Sequence, residues 1–82
     1  MVKLSLEKRL SEIEPGIEVF VKRVTGDKNL RKRIADMGIV KGTRIKVVRK
    51  APLGDPVEFE LKGYSLSLRK KEAENVYVEE VS

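Results

Sequence analysis

The sequence contains no cysteine and no histidine, and aromatic side chains make up only 5% of its 82 residues. The absence of cysteine excludes disulfide bonds, thiolate zinc sites and a cysteine nucleophile. The absence of histidine removes the commonest general base and the commonest transition-metal ligand. Only Asp and Glu side chains would be left to coordinate a metal ion, and carboxylates suit Mg²⁺ or Ca²⁺. We therefore expect a protein that is not an enzyme and carries no cofactor.

Long hydrophobic runs are also absent. No apolar segment approaches the ~20 residues that a helix needs to span a bilayer. The charged residues Glu7, Lys8 and Arg9 stand too close to the start for a secretory signal core. We expect a cytoplasmic location without insertion into a membrane. A chain of 82 residues has room for one domain with one core.

Charge of both signs is abundant and interspersed. Eighteen basic and thirteen acidic residues give a net charge of +5. Residues 1–41 hold ten basic and six acidic residues, and residues 42–82 hold eight and seven, so the excess lies in the first half. A solvated surface explains most of this pattern, but a net positive charge also favours binding to nucleic acid, to an anionic membrane face or to an acidic protein surface.

Alternation of apolar and polar residues predicts a mainly β fold of about five short strands with one α-helix inserted after the first strand. Short antiparallel strands with tight turns close most easily as a small β-barrel. The expected strands cover residues 17–24, 43–50, 56–61, 64–68 and 76–80, and residues 70–74 form one helical turn. The alternation also places Tyr64 with Leu66 and Leu68 on the inward face.

The inserted helix has a start signal, an apolar stripe and a stop signal. Asp27 is a good N-cap, because its carboxylate can accept a free backbone N–H of the first turn. Leu30, Ile34 and Met37 follow at helical spacing and form one stripe. Gly38 can take the left-handed conformation that ends a helix. Before this helix, residues 1–13 fit either a strand or a single helical turn.

Two features favour a surface for protein contacts. The segment Ala51-Pro52-Leu53-Gly54-Asp55-Pro56 is a loop that two prolines stiffen, and its leucine either folds onto the core or stays exposed. An exposed apolar residue on a stiff loop costs little entropy to dock. The helix carries basic residues opposite and beside its apolar stripe. The predicted partner contacts are Arg31, Arg33, Met37, Pro52, Leu53, Gly54 and Asp55.

A nucleic-acid-binding barrel is the alternative. Arg44 and Lys46 share one face of a strand, which suits a phosphate track. Aromatic stacking platforms are scarce, and Glu58 and Glu60 on the next strand would repel a phosphate backbone. Phe20 on an outward face would also allow self-association.

Four segments together resemble the FeoA domain, the small protein of bacterial ferrous iron uptake. They are Arg-Lys-Arg-Ile-Ala-Asp-Met-Gly-Ile at residues 31–39, Lys-Gly-Thr at 41–43, the loop at 51–56, and Gly-Tyr-Ser-Leu-Ser-Leu-Arg-Lys-Lys-Glu-Ala at 63–73. Residues 10–78 carry the resemblance. It divides the chain into an N-terminal extension, residues 1–9, and an FeoA-like domain, residues 10–82.

The resemblance implies an SH3-like barrel. It also implies a role in assisting or regulating FeoB, the membrane ferrous iron transporter with a cytoplasmic GTP-binding domain. A helper protein need not bind iron itself, and a chain without histidine or cysteine would bind Fe²⁺ poorly. We therefore expect no tight iron site.

Overall fold

The computed structural model describes residues 7–81, and most of their regular structure is β-sheet. All strand pairs are antiparallel and form one six-stranded sheet in the order β1-β6-β2-β3-β4-β5. The strands are β1 (Lys8–Arg9), β2 (Glu18–Val24), β3 (Arg44–Lys50), β4 (Val57–Leu61), β5 (Tyr64–Leu68) and β6 (Val76–Glu80). The α-helices are α1 (Lys28–Asp36) and α2 (Lys70–Ala73), and Leu10–Glu12 and Pro52–Gly54 form short 3-10 helices.

The mainly β prediction with one inserted helix is confirmed, and the helical turn after β5 is present as α2. The helix follows the strand predicted as the first, which is the second strand of the structure, β2, because β1 precedes it. The sheet has one strand more than the five expected. This extra strand, β1, has two residues, and Lys8 and Arg9 pair with Val78 and Tyr77 of β6. The sheet thus begins before the predicted domain boundary at residue 10. Residues 1–6 lie outside the described residues, so the proposed extension stays a prediction.

Alternation along the strands builds the core. The inward side chains of β2, β3 and β4 are buried, and Ile34 of α1 covers them. Tyr64 is the exception, because 69% of its residue surface is exposed. It lies directly opposite the buried Leu61, so its side chain shares the predicted face with Leu66 and Leu68. At the tip of the β4–β5 hairpin, however, the core does not cover it.

The predicted helix signals are all present in α1. The Asp27 carboxylate accepts a hydrogen bond from the backbone N–H of Leu30 at 2.8 Å. Gly38 has a φ of +92°, and the N–H of Ile39 reaches back to the Ile34 carbonyl at 3.3 Å. This pattern is the Schellman ending, which leaves Ile39 in the core. Among the described residues, no helix has the length and apolar composition that crossing a membrane requires.

Candidate functional site

The loop at residues 51–56 holds its shape through its own backbone. The N–H of Ala51 donates to the Pro56 carbonyl at 3.1 Å, and the N–H of Gly54 donates to the Ala51 carbonyl at 2.8 Å. Leu53 lies at the outside of this turn with φ at 68°, a left-handed conformation that is uncommon for a non-glycine residue. Its side chain is 95% exposed. Of the two alternatives that the sequence left open, the structure has the exposed one.

Asp55 joins this loop to α2. Its Oδ1 atom accepts a hydrogen bond from the backbone N–H of Lys70 at 3.1 Å. A carboxylate is favourable there, because the first backbone N–H groups of a helix have no partner within the helix. Asp55 therefore anchors the loop as well as lying on its surface.

Arg33 joins α1 to the same short helix. Its guanidinium forms a salt bridge with Glu72, whose residue surface is only 9% exposed. The other carboxylate oxygen of Glu72 accepts from the backbone N–H of Arg69 at 2.9 Å. Glu72 is thus nearly buried but satisfied on both oxygens. Glutamate three positions after the N-cap residue is half of the capping-box signal. Because the N-cap residue here is Arg69, and arginine is not a usual N-cap, the sequence alone did not reveal this role of Glu72.

The seven predicted contact residues do not form one compact patch. The loop and Arg33 each contact α2, through Asp55 and Glu72 respectively. Met37 is half-buried against the core. It precedes Gly38, where an added β-carbon would approach Leu61 Cδ2 within 3.1 Å. Leu61 is the last residue of β4, whereas the loop comes directly before its first residue, so Gly38 and the loop lie near opposite ends of this strand.

Exposed basic side chains lie on both helices. Arg31 and Lys32 of α1 and Lys70 and Lys71 of α2 are exposed, and among residues 7–81 none of them forms a salt bridge. We call Leu53 together with these four cations the loop–helix surface. The loop is tied to α2 by the hydrogen bond between Asp55 and Lys70, and an exposed apolar side chain combined with these cations suits an acidic partner surface that has a small apolar pocket.

The surface offers little for small-molecule chemistry. A shallow cleft of about 260 Å³ lies beside the loop and is lined by residues such as Pro52, Pro56 and Glu58. Within the described part of the chain, no group of three or more acidic side chains is placed to hold a metal ion.

Comparison with protein-family models matches residues 8–80 to the FeoA domain. This chain belongs to the FeoA family. Its membership confirms the resemblance that the four sequence segments carried. It also links the chain to ferrous iron transport, the process after which the family and its relatives are named.

One curated relative combines the FeoA domain with a transporter. The chain is 45% identical over 74 residues to the Fe(2+) transport protein A/Fe(2+) transporter FeoB fusion protein of Porphyromonas gingivalis (strain ATCC BAA-308 / W83). The match covers 90% of this chain but only 9% of that relative. The chain thus spans less than a tenth of the length of this relative.

Two solved structures support the SH3-like fold. An FeoA-like protein from Clostridium acetobutylicum is 45% identical and has a TM-score of 0.84, with 93% of this chain and 88% of that chain covered. FeoA of Stenotrophomonas maltophilia, a prokaryotic SH3 domain protein complexed with zinc, is 28% identical and has a TM-score of 0.75. The match covers 87% of this chain and 88% of that one. The SH3-like prediction is confirmed.

Proposed function

We propose that this FeoA domain is a non-catalytic accessory protein of bacterial ferrous iron uptake. It acts in the cytoplasm and binds the cytoplasmic GTP-binding domain of an FeoB-type transporter. The observation that carries this proposal is the relative in which an FeoA domain and FeoB share one chain. A covalent link holds two domains at high effective concentration, whereas a separate domain needs a surface with its own affinity.

The loop–helix surface is our candidate for that contact. Leu53 is the apolar anchor, because its loop is already ordered and its side chain is free to enter a pocket. Arg31 contributes long-range attraction toward an acidic partner. Pro52, Gly54 and Asp55 hold the loop in shape. Arg33 stays mostly exposed while it pairs with Glu72, whereas Met37 is half-buried against the core.

Leu53→Asn tests the anchor without disturbing the fold, since asparagine tolerates the left-handed conformation better than leucine does. Full burial of a leucine side chain contributes about 1.5–3 kcal/mol, which corresponds to roughly a tenfold to hundredfold change in Kd. We expect a loss of this size when calorimetry measures binding to the purified FeoB cytoplasmic domain.

Phe20→Thr is the matched control, because Phe20 is an exposed apolar side chain on the outward face of β2. We expect it to bind with unchanged Kd. If Leu53→Asn binds as the wild type does, the loop–helix surface is wrong while the partner stands. If the wild-type protein does not bind the FeoB domain at all, the partner is wrong.

Nucleic-acid binding is the second candidate, favoured by the exposure of Tyr64, which provides a stacking platform. Charge pairing opposes it. Arg44 Nε lies 2.7 Å from a Glu18 carboxylate oxygen, and Arg49 pairs with Glu58 at 3.4 Å. These cations of β3 are therefore partly neutralised. Affinity for RNA or DNA that falls steeply with salt would support this candidate, and no binding at low salt would reject it.

A further inference from the structure

Strand β5 is one of the two outer strands of the sheet. It pairs with β4 on one side through five consecutive residue pairs, from Val57↔Leu68 to Leu61↔Tyr64. Its other side has no strand partner among the described residues.

The hairpin geometry identifies which backbone groups face the open side. A two-residue turn, Lys62-Gly63, joins the strands with φ values of 51° and 83°. In such a hairpin the flanking pair, Leu61 and Tyr64, is hydrogen-bonded, and bonded pairs then alternate along the ladder. The N–H and C=O groups of Tyr64, Leu66 and Leu68 therefore point toward β4. Those of Ser65 and Ser67 point outward.

Within the described part of the chain, β5 lacks the usual protections of an edge strand. Natural proteins blunt such edges with charged residues, proline, bulges or a covering segment. The strand reads Tyr-Ser-Leu-Ser-Leu, without charge or proline, and its register with β4 is regular. Ser65 and Ser67 are exposed. Within residues 7–81, no backbone bond from a loop and no side-chain bond reaches either serine.

The basic residues at the two ends of β5 indicate which kind of segment can bind along this strand. Lys62 precedes the strand, and Arg69, Lys70 and Lys71 follow it, all exposed and without a salt bridge in the described part of the chain. A second copy in the antiparallel register that uses both serines would bring Lys62 of one copy toward Arg69 and Lys70 of the other. Like charges would meet at both ends, which disfavours self-pairing. A segment with acidic ends would instead meet opposite charge.

We propose that the open edge of β5 binds an extended segment of a partner protein as an added antiparallel strand. The backbone groups of Ser65 and Ser67 supply the hydrogen bonds. The segment has apolar residues at alternate positions, to lie beside the exposed Tyr64 and the half-buried Leu66, and acidic residues at both ends. This site does not use Leu53, although it shares Lys70 and Lys71 with the loop–helix surface, and it does not depend on FeoB being the partner.

A synthetic peptide tests the proposal directly. The probe has two glutamates at each end and alternating valine and threonine between them. Hydrogen exchange of the backbone amides of β5, measured by NMR, reports whether the peptide is bound there. In the free protein we expect the amides of Ser65 and Ser67 to exchange fast, whereas those of Tyr64 and Leu66, which bond to β4, are protected. At a peptide concentration about ten times Kd, only about a tenth of the edge stays free. We expect exchange of the two serine amides to slow about tenfold.

Ser67→Pro removes one outward N–H and leaves the β4 ladder intact, since proline is tolerated where an edge N–H faces solvent. We expect at least about a tenfold loss of peptide affinity, the effect of removing a main-chain bond. Ser67→Ala is the matched control, because it keeps the N–H, and its affinity should be unchanged. If Ser67→Pro folds and still binds like the wild type, the proposal is overturned.

A charge exchange tests the same site without proline. The double variant Lys62→Asp/Lys71→Glu should weaken binding of the glutamate-ended peptide and strengthen binding of the same peptide with lysine ends. Equal affinities of the double variant and the wild type for both peptides contradict the proposal. The proposal is also contradicted if the wild-type protein shows no saturable binding when the peptide is titrated up to about 1 mM. Protection of Ser65 and Ser67 that rises with protein concentration alone would assign the edge to a second copy, and would also overturn it.

Discussion

At the scale of single residues, two positions with the same unusual backbone conformation have different roles. Gly38 and Leu53 both have left-handed backbone, with φ of 92° and 68°. Gly38 ends α1 against Leu61, where space is tight. Leu53 instead projects into solvent, so its side chain adds little to the stability of the fold. Substitutions at Leu53 can therefore report on binding, whereas substitutions at Gly38 report on folding.

Two glycines allow a matched measurement of this requirement. Gly38→Ala adds a β-carbon 3.1 Å from Leu61 Cδ2, whereas at Gly42, with φ at 90°, a β-carbon meets nothing within 4 Å. Left-handed backbone alone costs an alanine about 1–2 kcal/mol. We expect Gly42→Ala to lose about that much unfolding free energy in urea, and Gly38→Ala to lose more. Equal losses would show that Leu61 moves aside without cost.

At the scale of elements, the four-residue helix α2 connects parts that are distant in sequence. It carries Glu72, which pairs with Arg33 of α1, and its first turn donates a backbone N–H to Asp55 of the loop. A helix this short has little stability of its own. These side-chain bonds and the packing of Ala73 into the core hold it in place.

Arg33→Ala should therefore destabilise the protein more than Arg31→Ala. Removing Arg33 leaves the nearly buried Glu72 carboxylate with one bond fewer, which we expect to cost about 1 kcal/mol, since Arg33 itself is mostly exposed. Arg31 is exposed on the same helix, so its replacement should change the unfolding free energy by less than about 0.5 kcal/mol. Thermal or urea unfolding of both variants measures the difference. The expectation fails if the two variants are equally stable.

At the scale of the whole molecule, most charged side chains of the sheet are paired with a charge of the opposite sign. Opposite charges pair across the sheet, as in Lys8–Glu80 at 3.2 Å and Arg23–Glu7 at 3.1 Å. Exposed salt bridges contribute at most about 1 kcal/mol each. They do, however, neutralise much of the sheet surface, whereas five cations of α1 and α2 have no salt bridge among residues 7–81: Lys28, Arg31, Lys32, Lys70 and Lys71.

The whole chain should bind Fe²⁺ only weakly. It has no histidine or cysteine, and within residues 7–81 the acidic side chains do not gather into a metal site. We expect anaerobic calorimetric titration with Fe²⁺ to show no binding in the micromolar range or tighter, with Mg²⁺ as the control for non-specific carboxylate binding. A saturable micromolar Fe²⁺ site would contradict this.

Local interactions made much of the fold predictable. The Asp27 cap, the Gly38 ending and the hairpin at Lys62-Gly63 each involve residues within a few positions of one another, so their signals are complete in a short stretch of sequence. The strand β1 was missed because two residues are too few to show alternation. Alternation assigned Tyr64 to the correct face but could not show that it is exposed, because alternation does not say where along a strand the core ends.

The sequence by itself determined the absence of cysteine and histidine chemistry, the mainly β fold with its inserted helix, and, through its motifs, membership of the FeoA family. Only the tertiary structure decided that Leu53 is exposed, that Arg33 and Asp55 are tied to α2, and that β5 is an outer strand with one partner among residues 7–81. The reason is that these features depend on residues far apart in the chain, such as Arg33 and Glu72. Their meeting follows from how the strands pack together, which no local pattern records.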